Sequence, residues 1–176
     1  MRTGVQPGSF DPPTLAHLAI AHAALRHHRL DRVIWTVSRH PLGKDDGRTD
    51  VDDRLTVLHS AIADHRWLAA EATDARLVAD IADGYDVVIM GADKWHQLHD
   101  PTFYGEPGTE SAAMDLALDR LPTCAVAPRD GLTVPPEVTL SVPRWVARQS
   151  SSDAVAGAPW MALSAARHSG LWLEIR

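Results

Sequence analysis

The sequence predicts an α/β protein with a doubly wound, mostly parallel sheet and helices on both faces, in one domain over residues 1–176. Three observations carry this. Short apolar stretches rich in β-branched residues alternate with longer stretches of helical period, which implies right-handed crossovers between parallel strands. Residues 85–90, Tyr-Asp-Val-Val-Ile-Met, end in four consecutive apolar residues, as in a strand covered on both faces. Gly8, Lys44, Gly91 and Arg129 all fall just beyond predicted strand ends. In such sheets ligands bind outside the carboxyl ends of the strands.

The elements follow in order. Residues 3–6 read as a first strand. Residues 15–28 form a helix with Leu15, Leu18, Ala19, Ala23 and Leu25 as its apolar positions, and Ser9 or Asp11 is available to cap it. Residues 32–37 are a second strand and 38–50 a polar loop. Residues 51–64 are a helix carrying Leu55, Leu58 and Ile62 on one side. A short strand is expected over 67–70, then a helix over 73–83 capped by Thr73 or Asp74. A buried strand at 85–90, a helix at 111–121, a strand at 123–127 and a weaker strand at 138–142 complete the chain.

Composition narrows the function classes. A chain of 176 residues with 45% hydrophobic content can bury a substantial core. The net charge of -6 argues against a general nucleic-acid binder, which is usually basic. An acidic protein that binds an anionic ligand must gather positive potential locally. The single cysteine, Cys124, excludes an intrachain disulfide and fits a reducing compartment. No run resembles a signal peptide or a membrane span, so a cytoplasmic location is expected. Ten histidines include His96 and His99 at helical spacing, but no third ligand is arranged with them, so no protein metal site is expected.

The most informative segment is Gly8-Ser9-Phe10-Asp11-Pro12-Pro13-Thr14-Leu15-Ala16-His17. It links a short strand to a helix. Thr14 and His17, three apart, share one face of that helix near its N-terminus. The unpaired N–H groups and the helix dipole there favour anions. A hydroxyl and an imidazole at that point suit a triphosphate, and Gly8 lets a ligand approach the backbone. The alternative is a capped amphipathic helix with a histidine near its start.

This segment resembles the signature of the nucleotidylyltransferase superfamily, Gly-(Ser/Thr)-Phe-Asp-Pro-x-(His/Thr)-x-Gly-His, with Ala16 in place of the second Gly. The resemblance implies a Rossmann-like fold. It also implies that Gly8, Ser9 and Phe10 form the nucleotide loop, with Thr14 and His17 on the triphosphate. Later segments extend it. Ser38-Arg39-His40-Pro41-Leu42-Gly43-Lys44 resembles the Pro-rich stretch of pyridine-nucleotide adenylyltransferases whose Lys helps neutralise phosphate, which assigns Lys44. Arg54 resembles the arginine at the start of a family helix, and a phosphate partner there makes it an acceptor-binding candidate; Asp50 and Asp53 beside it offer a structural reading of the same residue. Gly91-Ala92-Asp93 after the buried strand resembles the nicotinate or nicotinamide mononucleotide branch, where the Gly admits the nucleotide and the Asp bonds a ribose hydroxyl. Trp95 is a candidate to stack on the acceptor ring. Arg129 resembles an arginine that reaches adenine or phosphate. Ser150, Ser151 and Ser152 stand where the family has phosphate-binding serines, but Val155 replaces its closing arginine.

What the resemblance implies is transfer of a nucleotidyl group, from ATP in the first instance, to a small phosphorylated acceptor. Pyrophosphate leaves and Mg²⁺ bridges the phosphates. Nicotinate or nicotinamide mononucleotide is the implied acceptor, in NAD synthesis. Phosphopantetheine adenylylation, CTP-dependent transfer and a non-catalytic nucleotide binder are the alternatives, and a homo-oligomer stays open.

Overall fold

The structure, a computed structural model, describes residues 1–40, 49–105 and 108–149. Five strands form one sheet: β1 (Thr3–Pro7), β2 (Arg32–Ser38), β3 (Leu68–Thr73), β4 (Val87–Gly91) and β5 (Thr123–Ala127). Their order is β3-β2-β1-β4-β5 and every pairing is parallel. The order reverses between β1 and β4, which is where a doubly wound sheet opens its ligand crevice. Gly4 stands beside Val33 on one side and Val87 on the other, so the strand ends line up across this switch point.

Period-two alternation sorts the strand residues onto two faces. Val33, Trp35, Val37, Val87 and Ile89 pack with Ala21 and Ala24 of α1 (Leu15–His27) and Leu58 of α2 (Val51–Ile62). Val5, Val88 and Met90 pack with Val78 and Ile81 of α3 (Val78–Ile81) and Leu98 of α4 (Ala92–Leu98). A further helix, α5 (Glu110–Leu118), buries only Ala117 of its length. Among the described residues no helix is long and apolar enough to cross a membrane.

Three element expectations need correction. The helix expected over 73–83 shrinks to the four residues of α3, and neither Thr73 nor Asp74 caps it. β3 runs on through Thr73, which pairs with Ser38. Thr73 Oγ1 then accepts from the Ala75 amide, and Ser38 Oγ donates to the Ala75 carbonyl. These side-chain bonds offer the backbone an alternative to helix until Leu77. The strand expected over 138–142 is a single parallel bridge from Thr139 to Val126, because Pro135, Pro136 and Pro143 remove ladder donors around it. Thr14, rather than Ser9 or Asp11, caps α1.

Candidate functional site

The segment between β1 and α1 is held from three directions. The Gly8 amide donates to the Thr36 carbonyl at 3.1 Å, extending the β1–β2 pairing by one bond. Arg54, on α2 and only 3% exposed, reaches across so that Nη1 donates to the Ser9 carbonyl at 2.8 Å. Phe10 is fully buried at a left-handed φ of 47°. Its ring occupies the place where a Gly8 side chain would go: a Cβ built there lies 2.8 Å from the ring. The missing side chain at Gly8 thus seats the Phe10 ring, and Phe10 shapes the loop from inside.

At the start of α1 the caps are reciprocal. The His17 amide points to Thr14 Oγ1 at 3.4 Å, while the Thr14 amide donates to His17 Nδ1 at 3.0 Å. This is a capping box with an imidazole in the position usually taken by Glu or Gln. It fixes the tautomer: Nδ1 accepts from a backbone N–H, so the ring proton sits on Nε2. Burial pulls the His17 pKa down from 6.5 to about 4, so the imidazole is neutral at pH 7. The result is a neutral N–H donor near the N-terminus of a 13-residue helix. Ala16 is 4% exposed, so its methyl is covered by the protein.

On the other side of the loop lies a cleft of about 700 Å³, open to solvent. Pro7, Gly8 and Ser9 form one wall; Thr36, Ser38 and Arg54 adjoin them. Arg76, Leu77, Val78 and Ile81 close it from the β3–α3 side, and Lys94, Gln97, Leu98, Phe103 and Tyr104 from α4 and the turn after it. Among the described residues, three cationic side chains and no carboxylate line this space, in a chain of net charge -6. Phe103, Leu77 and Ile81 supply an apolar surface. Of these residues only Gly8, Ser9 and Arg54 stood among the sequence candidates. Thr36, Arg76 and Lys94 carry no spacing signal; only the crossing of separate strands and helices brings them together.

The remaining candidates sit elsewhere around the strand ends. Gly91 is the N-cap of α4, and a Cβ added to it would meet nothing within 4 Å. Asp93 Oδ2 accepts from Arg129 Nη1 at 2.7 Å, joining the ends of β4 and β5. Trp95 is not among the residues that line this cleft. Its ring meets His99 at 4.3 Å and packs on the α3–α4 face of the sheet. The helical period explains this: Lys94, Gln97 and Leu98 face the cleft, so Trp95 faces away. Lys44, Ser150, Ser151 and Ser152 lie outside the described residues. Among the described residues no group of three or more His, Cys, Asp or Glu side chains is placed to hold a metal ion.

Residues 5–113 match the family model described as cytidylyltransferase-like, which is more than half of the chain. Curated relatives agree in kind. A protein of Coprothermobacter proteolyticus is 33% identical over 110 residues, 56% of each chain. One from Bradyrhizobium sp. (strain ORS 278) is 35% identical over 111 residues, covering 56% of this chain and 58% of its own. One from Chlorobaculum parvum is 47% identical over 57 residues, 32% of this chain and 29% of its own. All three carry the name "Probable nicotinate-nucleotide adenylyltransferase". The chain spans about half the length of the first two of these relatives and less of the third.

Proposed function

The chain belongs to the cytidylyltransferase-like family, and on that premise we propose that it transfers an adenylyl group from ATP to nicotinate mononucleotide. A phosphate oxygen of the acceptor attacks the α-phosphorus, the bond to the bridging oxygen breaks, and pyrophosphate departs. The names of the relatives support the acceptor. The observation that carries the reading is the cleft beside Gly8 and Ser9, lined among the described residues by three cations and no carboxylate. The ring carboxylate gives nicotinate mononucleotide one more negative charge than its carboxamide counterpart, and a cationic cleft favours the more anionic acceptor.

Each residue then has a defined task. His17, neutral and donating through Nε2, hydrogen-bonds a phosphate oxygen without itself titrating near neutral pH. Thr14 fixes that ring from below through the capping box. Arg54 orders the Ser9 carbonyl and adds positive charge to the cleft wall. Lys44 and Ser150 to Ser152 contribute a point charge and hydroxyls to the triphosphate. Asp93 has acceptor capacity left beyond its bond to Arg129, since a carboxylate offers about four lone-pair sites, and a ribose hydroxyl takes it. A divalent ion such as Mg²⁺, bound with the triphosphate, would supply charge screening there. Alignment and charge neutralisation are the protein's work; no covalent enzyme intermediate is needed.

The test is a panel. The purified protein is incubated with Mg²⁺, ATP or CTP, and each of nicotinate mononucleotide, nicotinamide mononucleotide and phosphopantetheine, with pyrophosphate and product detected separately. Dinucleotide from ATP and nicotinate mononucleotide, above the nicotinamide form, is the expected result. Product only with phosphopantetheine or CTP moves the chain to another branch. ATP binding with no product from any pair makes it a nucleotide binder.

A further inference from the structure

Behind the phosphate-facing histidine stands a second layer of side chains that does not line the cleft. Gln6 and Trp35 are direct neighbours in the β1–β2 register and project onto the same face as α1. Trp35 Nε1 donates to Gln6 Oε1 at 2.8 Å, with both residues buried. The Trp35 ring stacks on Phe10, centroids 4.9 Å apart and planes inclined 29°. Phe10 in turn lies 4.9 Å from the His17 ring at 59°. We propose that Trp35 and Gln6 are positioning residues for His17, acting through the ring of Phe10.

The backbone explains why such a device is needed. A non-glycine residue at positive φ is disfavoured, and Phe10 keeps that conformation only because its surroundings over-determine it. The seat for its ring is the Trp35 indole. An indole buried without a partner for its N–H is free to tilt toward one, and Gln6 removes that freedom. Gln6 therefore fixes Trp35, Trp35 fixes Phe10, and Phe10 fixes the plane of His17. The capping bonds from Thr14 hold one edge of the imidazole; Phe10 holds its face. A displacement of about 1 Å in a phosphate-facing donor is enough to lower turnover substantially.

The inference rests on His17 acting on the phosphates, and the experiment separates the two ideas. Gln6→Leu and Trp35→Phe each break the hydrogen bond; the single Gln6→Leu leaves the indole N–H buried with no acceptor from Gln6. The double variant Gln6→Leu/Trp35→Phe removes both partners, so it is expected to regain most of the thermal stability lost in Gln6→Leu. It is not expected to regain turnover: kcat stays down about tenfold, with KM for ATP within about twofold of the parent. In the free protein, the His17 imidazole titration followed by NMR moves up from about 4 toward its ordinary value as the ring loosens. Recovery of kcat together with stability, and an unmoved His17 titration, would overturn the proposal and leave the pair as ordinary core. The NMR readout needs no substrate. If the parent turns over no acceptor while the titration still moves, the positioning role stands and the reaction assignment falls.

Discussion

Replacing His17 by Ala tests both the burial and the donor role of the imidazole at the helix start, and pH supplies the second axis. The folded imidazole titrates at about 4 against an ordinary 6.5. Between those values the unfolded chain binds more protons than the folded one, so stability rises with pH through this window. The contribution is fully present above pH 6.5 and is lost as pH falls through 4. For one titrating group, each pH unit between its unfolded and folded midpoints corresponds to about 1.36 kcal/mol, so the whole window amounts to about 3 kcal/mol and the step from pH 7 to pH 5 to about 2 kcal/mol. With a urea slope of about 2 kcal/mol/M, that step moves the unfolding midpoint by about 1 M. The parent protein is expected to show this extra acid sensitivity and His17→Ala to lack it. Burial also lowers the pKa of His28, but both proteins keep His28, so its effect cancels in the difference. At pH 7.5 the same variant is expected to lose turnover by about 10²-fold or more, as befits loss of a donor to transition-state charge. Parallel midpoint shifts in the two proteins would mean the histidine is solvated and charged near neutrality, and the assignment of Nε2 as a neutral donor would fail. Undiminished turnover in a folded variant would put the phosphate site elsewhere.

Other perturbations separate neighbouring roles. Gly8→Ala puts a methyl 2.8 Å from the Phe10 ring; thermal unfolding should report a loss of about 1–3 kcal/mol, the usual range for overpacking, and wild-type stability would show the ring has room to move. Lys44→Ala should weaken ATP binding more than adenosine binding in calorimetry, and equal losses would remove Lys44 from the phosphates. Thr36 is 1% exposed and its hydroxyl has no hydrogen-bond partner among the described residues. Thr36→Val should therefore raise stability by about 1 kcal/mol, measured by urea unfolding, whereas a loss would reveal a bond the hydroxyl makes.

The sheet was legible because buried parallel strands announce themselves as apolar runs, and four of the five strands lie within two residues of where the pattern puts them at either end. β3 is the exception: it continues through Glu71, Ala72 and Thr73, whose polarity and small size suit an edge strand and mimic a helix start. The site was legible only where one contiguous segment builds it. Gly8 to His17 is such a segment, and its caps follow from local spacing. Local spacing does not say which neighbour fills a gap. Spacing marks Gly8 as a point of close approach, but it does not show that the ring of Phe10 is what fills the side-chain position.

Arg54 resisted a reading from its neighbours for the same physical reason. In sequence, Asp50 and Asp53 flank a cation in the first turn of a helix, where the dipole disfavours it. In space, Asp50 accepts from the Asp52 amide as the helix cap, and Arg54 turns inward beneath Ser9. A guanidinium 3% exposed is costly to bury without acceptors. The Ser9 carbonyl supplies one, and the cleft that Arg54 lines is where a further anion is offset most directly. The residue therefore joins the two halves of the site. It pins the loop that carries Phe10 toward His17, and it contributes charge to the wall where the acceptor is proposed to bind.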